Sequence, residues 1–151
     1  MSNDLGDLYQ QVIIDHSRHP QNFHQLADAT RTAEGVNPLC GDQLTLYVKL
    51  VDDRIEDIAF EGVGCAISVA SASLMTTALK GKRQDEALAL FGFVHTMLTE
   101  SPSDERPLPE LGKLEVLSGV SAFPMRVKCA TLAWHTLRSV LEGKNELVSS
   151  E

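Results

Sequence analysis

A chain of 151 residues, 43% of them hydrophobic, carries enough apolar material for one domain over residues 1–151 with a core that needs no disulfide support. Its 13 basic against 21 acidic residues give a net charge of −8, with no Lys/Arg cluster of the kind that follows a phosphate backbone, so nucleic acid is excluded as an expected partner. The start of the chain lacks the basic and apolar stretches of a secretion signal, and no run of about 18 apolar residues occurs, which predicts a soluble, cytoplasmic protein with no membrane partner.

Leu5, Leu8, Tyr9, Val12 and Ile13 form a helical stripe behind the capping residues Asn3 and Asp4, and His19-Pro20 ends it, because the residue before a proline is pushed out of the helical region. This helix either packs on the rest of the chain or stands off as an arm. Residues 21–39 read as polar loop, with a weak strand over 30–36. Leu44, Leu46, Val48 and Leu50 alternate as a half-buried strand does, Asp52-Asp53 reads as a turn, and residues 54–61 return with Ile58 and Phe60 on one face and an irregularity at Ile55. Antiparallel pairing of this hairpin brings the loop of Cys40 and Asp42, expected to be exposed, beside Cys65.

From Cys65 to Leu79 alanine and serine dominate, and Gly81 follows as a terminator, so a helix is predicted whose small side chains permit close packing. Cys65 stands at its start, where free N–H groups and the helix dipole favour a thiolate. A second helix, residues 84–98, turns Leu88, Phe91, Val94 and Met97 or Leu98 inward. Residues 99–112 hold three prolines and read as exposed loop, followed by a short helix with Leu114, Leu117 and Val120. The last helix starts near Pro124, with Ser121 as cap, turns Cys129, Leu132, Ala133, Leu137 and Val140 inward, and stops at Gly143. Arg126 and Lys128 flank Cys129, and their charges are expected to lower its pKa.

The candidate chemistry lies with the cysteines. Cys40 and Asp42 are separated by Gly41, which lets the backbone fold tightly enough for both side chains to meet at one point, and Gly64 precedes Cys65. Three thiols in an odd number point to metal binding or thiol chemistry, and with one carboxylate they add up to the four ligands of a tetrahedral zinc or iron site. None of the spacings is CxxC, so spacing alone leaves that reading level with three small buried thiols, and it leaves Arg126 and Lys128 level with a solvated helix face. The five histidines show no HxxxH or HExxH spacing, and no glycine-rich nucleotide loop or GxSxG occurs.

Four stretches carry a resemblance that spacing does not. Leu8-Tyr9 with Asp15-His16-Ser17-Arg18-His19-Pro20-Gln21-Asn22-Phe23, then Asn37-Pro38-Leu39-Cys40-Gly41-Asp42, then Phe60-Glu61-Gly62-Val63-Gly64-Cys65-Ala66-Ile67-Ser68, and last Phe123-Pro124-Met125-Arg126-Val127-Lys128-Cys129-Ala130 span nearly the whole chain. With them the sequence resembles the iron-sulfur cluster assembly family of IscU, SufU and the N-terminal domain of NifU. The resemblance implies an α+β fold in which a small antiparallel β-sheet of about three strands packs against helices, with the metal site at one exposed edge. Scaffold proteins resembling IscU carry histidine before the third cysteine and a shorter segment between the second and third, whereas Lys128 and the longer segment here are similar to the SufU branch. That branch implies a zinc (Zn2+) site of Cys40, Asp42, Cys65 and Cys129, supported by Gly41, Gly64, Arg126 and Lys128. It also implies Cys40 as sulfur acceptor of a sulfurtransferase, a SufS-type cysteine desulfurase as sulfur donor, and downstream iron-sulfur scaffold proteins as recipients. The alternative is a scaffold of the IscU kind, in which the same four residues ligate a transient iron-sulfur cluster. A zinc module that only docks to another protein is a third option.

Overall fold

Alternating apolar residues build the hairpin at the centre of the molecule. In a computed structural model, which describes residues 4–38, 40–99, 114, 116–117, 120, 124–143 and 148–149, β2 (Asp42–Val51) and β3 (Arg54–Val63) pair antiparallel from Gln43↔Val63 to Val51↔Arg54. Leu44, Leu46 and Val48 are buried on one face, while Gln43, Thr45, Tyr47 and Lys49 look the other way. Asp52 and Asp53 both adopt positive φ, 51° and 66°, the backbone of a two-residue hairpin turn whose twist matches its strands. The register shifts so that Lys49 opposes Asp57 and Leu50 opposes Ile55, leaving Glu56 as the extra residue. This bulge is the irregularity expected at Ile55, and it is why Ile55 and Ile58, three residues apart, both enter the core.

The weak strand expected over 30–36 is present, shifted by one residue, as a full strand within the segment read as mostly polar loop. β1 (Arg31–Asn37) pairs antiparallel with β2 from Arg31↔Val48 to Asn37↔Asp42. Its inward positions are Ala33, Gly35 and Asn37, and a Cβ on Gly35 would strike Thr136 and Leu132 of the last helix, so glycine permits that helix to lie close. A two-residue strand, β4 (Val148–Ser149), adds parallel to β1 and gives the order β3-β2-β1-β4, one short strand beyond the three antiparallel ones expected.

α2 (Ala66–Leu79) and α4 (Pro124–Leu141) pack against each other and the sheet, and Ser71 Oγ donates to the Ala130 carbonyl at 2.6 Å between them. α1 (Asp4–Arg18) packs on α2, with Val12 and Ile13 against the core. His16 Nδ1 lies 2.7 Å from Ser73 Oγ, which also accepts from the Gln21 N–H, and Asn22 Nδ2 donates to Thr76 Oγ1. The helix is thus seated on α2, whereas the stripe positions Leu5, Leu8 and Tyr9 lie outside the described side chains. α3 (Gln84–Thr99) packs on α4 and buries Ala87, Val94, Met97 and Leu98, whereas Leu88, expected inward, is exposed. In α4 the expected stripe of Cys129, Leu132, Ala133, Leu137 and Val140 is buried, joined by Trp134. Leu114, Leu117 and Val120 are buried in 3-10 turns, and the loop of residues 100–112 and the cap at Ser121 lie outside the described residues. No described helix is long and apolar enough to cross a membrane.

Candidate metal centre

The site forms where β1 gives way to β2, at the end of the hairpin opposite the Asp52-Asp53 turn. The Asn37 carbonyl accepts from the N–H groups of Cys40 at 3.2 Å and Gly41 at 2.9 Å, and Gly41 takes the left-handed conformation with φ +73°. This closes the turn and leaves Cys40 exposed at its tip. Asp42, expected in an exposed loop, is instead the first residue of β2 and is 1% exposed, because pairing with Asn37 turns it to the inner face. Across the hairpin, β3 runs out through Gly64 to Cys65, whose N–H donates to Asp42 Oδ1 at 2.8 Å. Gly64 has to be bare there, since a Cβ would stand 2.5 Å from that oxygen.

Cys65 is the N-cap of α2, its Sγ accepting from the Ser68 N–H at 3.4 Å and standing 3.9 Å from Asp42 Oδ2. Cys129, in the second turn of α4, is buried with its Sγ 3.4 Å from Cys40 Sγ. Cys40 Sγ, an Asp42 carboxylate oxygen and Cys129 Sγ all lie within 4.8 Å of one another. Cys65 stands outside that trio but borders it, next to Asp42 and beside Cys129. Two thiolates on one tetrahedral zinc stand about 3.8 Å apart, given zinc–sulfur bonds of about 2.3 Å. The sulfur spacing found here is close to that, and the mixture of thiols and a carboxylate suits a divalent cation of zinc's character.

Electrostatics point the same way. Burial pushes the Cys129 thiol far above its ordinary range, reinforced by Asp42, Cys40 and Cys65 beside it. The lowering expected from Arg126 and Lys128 is not realised, because Arg126 is exposed and Lys128 half-buried, whereas Cys129 sits inside the core at 3% exposure. A buried carboxylate and a buried sulfur, with a part-buried and an exposed sulfur beside them, favour anions only when a cation shares the space. Asn37 was not singled out as a site residue. Its side chain is fully buried and Nδ2 stands 3.5 Å from Cys129 Sγ. Only its place three residues before Cys40, in an Asn-Pro turn sequence, marks it.

Residues 8–130 match the family described as NifU-like N terminal domain. The chain belongs to this family. It is similar to the iron-sulfur cluster assembly scaffold protein IscU of Streptococcus pyogenes serotype M1, 46% identical over 140 residues that cover 91% of this chain and 85% of the relative. The same identity, 46% over 134 residues covering 89% of each, relates it to the zinc-dependent sulfurtransferase SufU of Bacillus subtilis (strain 168). A crystal structure from Fervidobacterium islandicum AW-1, described as a candidate iron-sulfur cluster assembly scaffold protein for the SUF system, superposes with a TM-score of 0.79 at 36% identity, covering 87% of this chain and 94% of that one. This NifU-like chain is therefore an iron-sulfur cluster assembly protein by family, with a scaffold and a sulfurtransferase at equal distance.

Proposed function

We propose that this NifU-like protein is a zinc-dependent sulfurtransferase of the cytoplasm, accepting persulfide sulfur from a SufS-type cysteine desulfurase and passing it to downstream iron-sulfur scaffold proteins. The observation that carries the reading is the asymmetry of the donor set: Asp42 and Cys129 are buried, while Cys40 stands exposed at the tip of a turn. Cys40, Asp42, Cys65 and Cys129 would hold zinc. Zinc, when bound, keeps thiols ionised at neutral pH and adds no redox chemistry of its own. The Cys40 thiolate attacks the outer sulfur of the donor's persulfide; one S–S bond forms, the donor's S–S bond breaks, and the donor cysteine leaves as a thiolate, so no external oxidant or reductant is consumed. Lys128 supports this reading, because a protonated lysine has no lone pair to lend a metal.

A second reading, favoured by the equal identity to the S. pyogenes IscU, is that the same four residues ligate iron of a transient cluster. Metal analysis of freshly purified protein and a desulfurase assay with Cys40→Ser separate the two. The transferase reading expects about one zinc per chain. It also expects loss of desulfurase stimulation in the variant, since an alcohol is neither a soft ligand nor a nucleophile toward persulfide. Absent zinc together with an iron-sulfur chromophore that survives anaerobic purification overturns it.

A further inference from the structure

The three thiols are not held alike. Cys65 Sγ receives the Ser68 N–H at 3.4 Å, and Cys129 Sγ receives Asn37 Nδ2 at 3.5 Å. Among the described residues no N–H reaches Cys40 Sγ, whose near neighbour is the sulfur of Cys129. An N–H directed at a thiolate draws charge from the sulfur and fixes its direction, which makes it a weaker nucleophile and a more stationary ligand. The sulfur without one is the electron-rich and least restrained member of the set.

Asn37 connects both halves of this asymmetry. It closes β1, paired in register with Asp42, and its side chain is fully buried. Its main-chain carbonyl holds the turn that displays Cys40, through the N–H groups of Cys40 and Gly41, while its side chain reaches across to Cys129 on α4. We infer that Asn37 is a positioning residue that keeps Cys129 in place as the retained thiolate and so leaves Cys40 as the sulfur that is free to react. The inference rests on Cys40 being the acceptor. The carboxamide is suited to the task because it donates without charge, whereas an acceptor-only carboxylate there would add a second buried anion beside Asp42.

The test uses the zinc-loaded full chain with limiting iodoacetamide, and peptide mass spectrometry to find which cysteine is modified first. A cobalt-substituted sample supplies the sulfur-to-metal charge-transfer band. Asn37→Ala removes the donor and keeps the main-chain turn; Asn37→Leu removes it while nearly keeping the volume. Wild type is expected to be modified first at Cys40, and both variants to raise the Cys129 share relative to Cys40 by about tenfold, the scale of a lost charge-assisted hydrogen bond. Both variants should also move the cobalt band to lower energy. A change in Asn37→Ala that Asn37→Leu reverses would mean the side chain only fills space, and the inference fails. Unchanged order of modification and an unchanged cobalt band in both variants overturn it while leaving Cys40 as acceptor. Wild type modified first at Cys129 overturns the acceptor reading and this inference together.

Discussion

Replacing Gly64 by alanine is expected to displace Asp42 and thereby weaken the proposed metal site without changing any of its proposed ligands. The added Cβ would lie 2.5 Å from Asp42 Oδ1, 3.1 Å from Cγ and 3.2 Å from Cβ, against 3.4 Å or more for ordinary contact. Rotating the carboxylate relieves the first contact but not the third, so either the Asp42 backbone at the start of β2 or the chain at Gly64 must shift. The same oxygen accepts the Cys65 N–H at 2.8 Å, so the strain falls on the segment that carries a second sulfur. Overpacking of this kind costs about 1–3 kcal/mol. For a chain of this length that lowers the melting temperature by roughly 2–4 °C per kcal/mol. Misplacing a ligand through its surroundings costs about 10- to 100-fold in metal affinity. Thermal unfolding of metal-free protein reads the first quantity, and competition with a chromophoric zinc chelator reads the second. Gly41→Ala is the comparison: φ is +73° and, among the described residues, nothing beyond its chain neighbours lies within 4 Å of the added Cβ, so it bears left-handed backbone strain of about 1–2 kcal/mol without a clash. Zinc affinity for Gly64→Ala within twofold of wild type, with an unchanged melting temperature, would refute the placement of Asp42 as a ligand.

Asp42→Asn keeps an acceptor for the Cys65 N–H and should retain metal-free stability while losing zinc affinity. Asp42→Ala should lose both, at a fold cost of about 1 kcal/mol for a part-buried donor left unmatched, and equal metal-free melting of the two variants would count against that bond. Lys128→His should raise iron retention after reconstitution with iron and sulfide and weaken desulfurase activation, since imidazole offers a lone pair and lysine does not; identical behaviour of both proteins would reduce Lys128 to a solvated helix residue. His135, packed against His95 of α3 with ring centroids 5.6 Å apart and beside Arg138, is held below its ordinary value of 6.5 by burial first and by those two charges next. Its unfolded form therefore binds the proton more readily, so the stability it contributes is present above pH 6.5 and falls away as the pH drops from there towards the folded-state value. The difference in urea midpoint between wild type and His135→Gln, followed from pH 7.5 to 5, should narrow in acid, and a constant difference would rule the linkage out.

What the sequence made legible depended on side chains that advertise their burial. The β2–β3 hairpin was readable because Leu44, Leu46 and Val48 alternate with polar residues and two aspartates mark the turn. The stripe of α4 was readable for the same reason. β1 was legible only as a weak strand over 30–36, because its inward residues are Ala33, Gly35 and Asn37, with Gly35 bare where α4 comes close, so little period of two in hydrophobicity survives. In α3 it is Ala87 that faces inward and Leu88 that is exposed, so the bulkier apolar residue misleads there too. At the site, the cysteine motifs carried the family and the convergence, but a charged Asp42 read as exposed because charges usually are. Its burial follows from a register pair and a cross-hairpin N–H, neither of which is local. The Cys129 pKa was misjudged likewise: Arg126 and Lys128 are visible in sequence, whereas the burial that outweighs them is a tertiary fact.

The choice of Cys40 in the proposed transfer then follows from what each sulfur would have to disrupt. Releasing Cys65 undoes the N-cap of α2, a cost of about 0.5–2 kcal/mol. Releasing Cys129 means rotating a buried side chain within an 18-residue helix whose neighbours Ala130, Leu132 and Ala133 are all in the core, and it forfeits the Asn37 contact. Cys40 moves on a short turn between two paired strands, at an exposed position, and its departure leaves intact the Asn37–Gly41 bond that closes the turn. Since about 1.4 kcal/mol is a factor of ten, either of the other two departures carries a handicap of roughly that order before any chemistry begins. In the proposed transfer the order of reactivity would thus follow from the elements that carry the thiols: a helix interior, a helix cap and a turn.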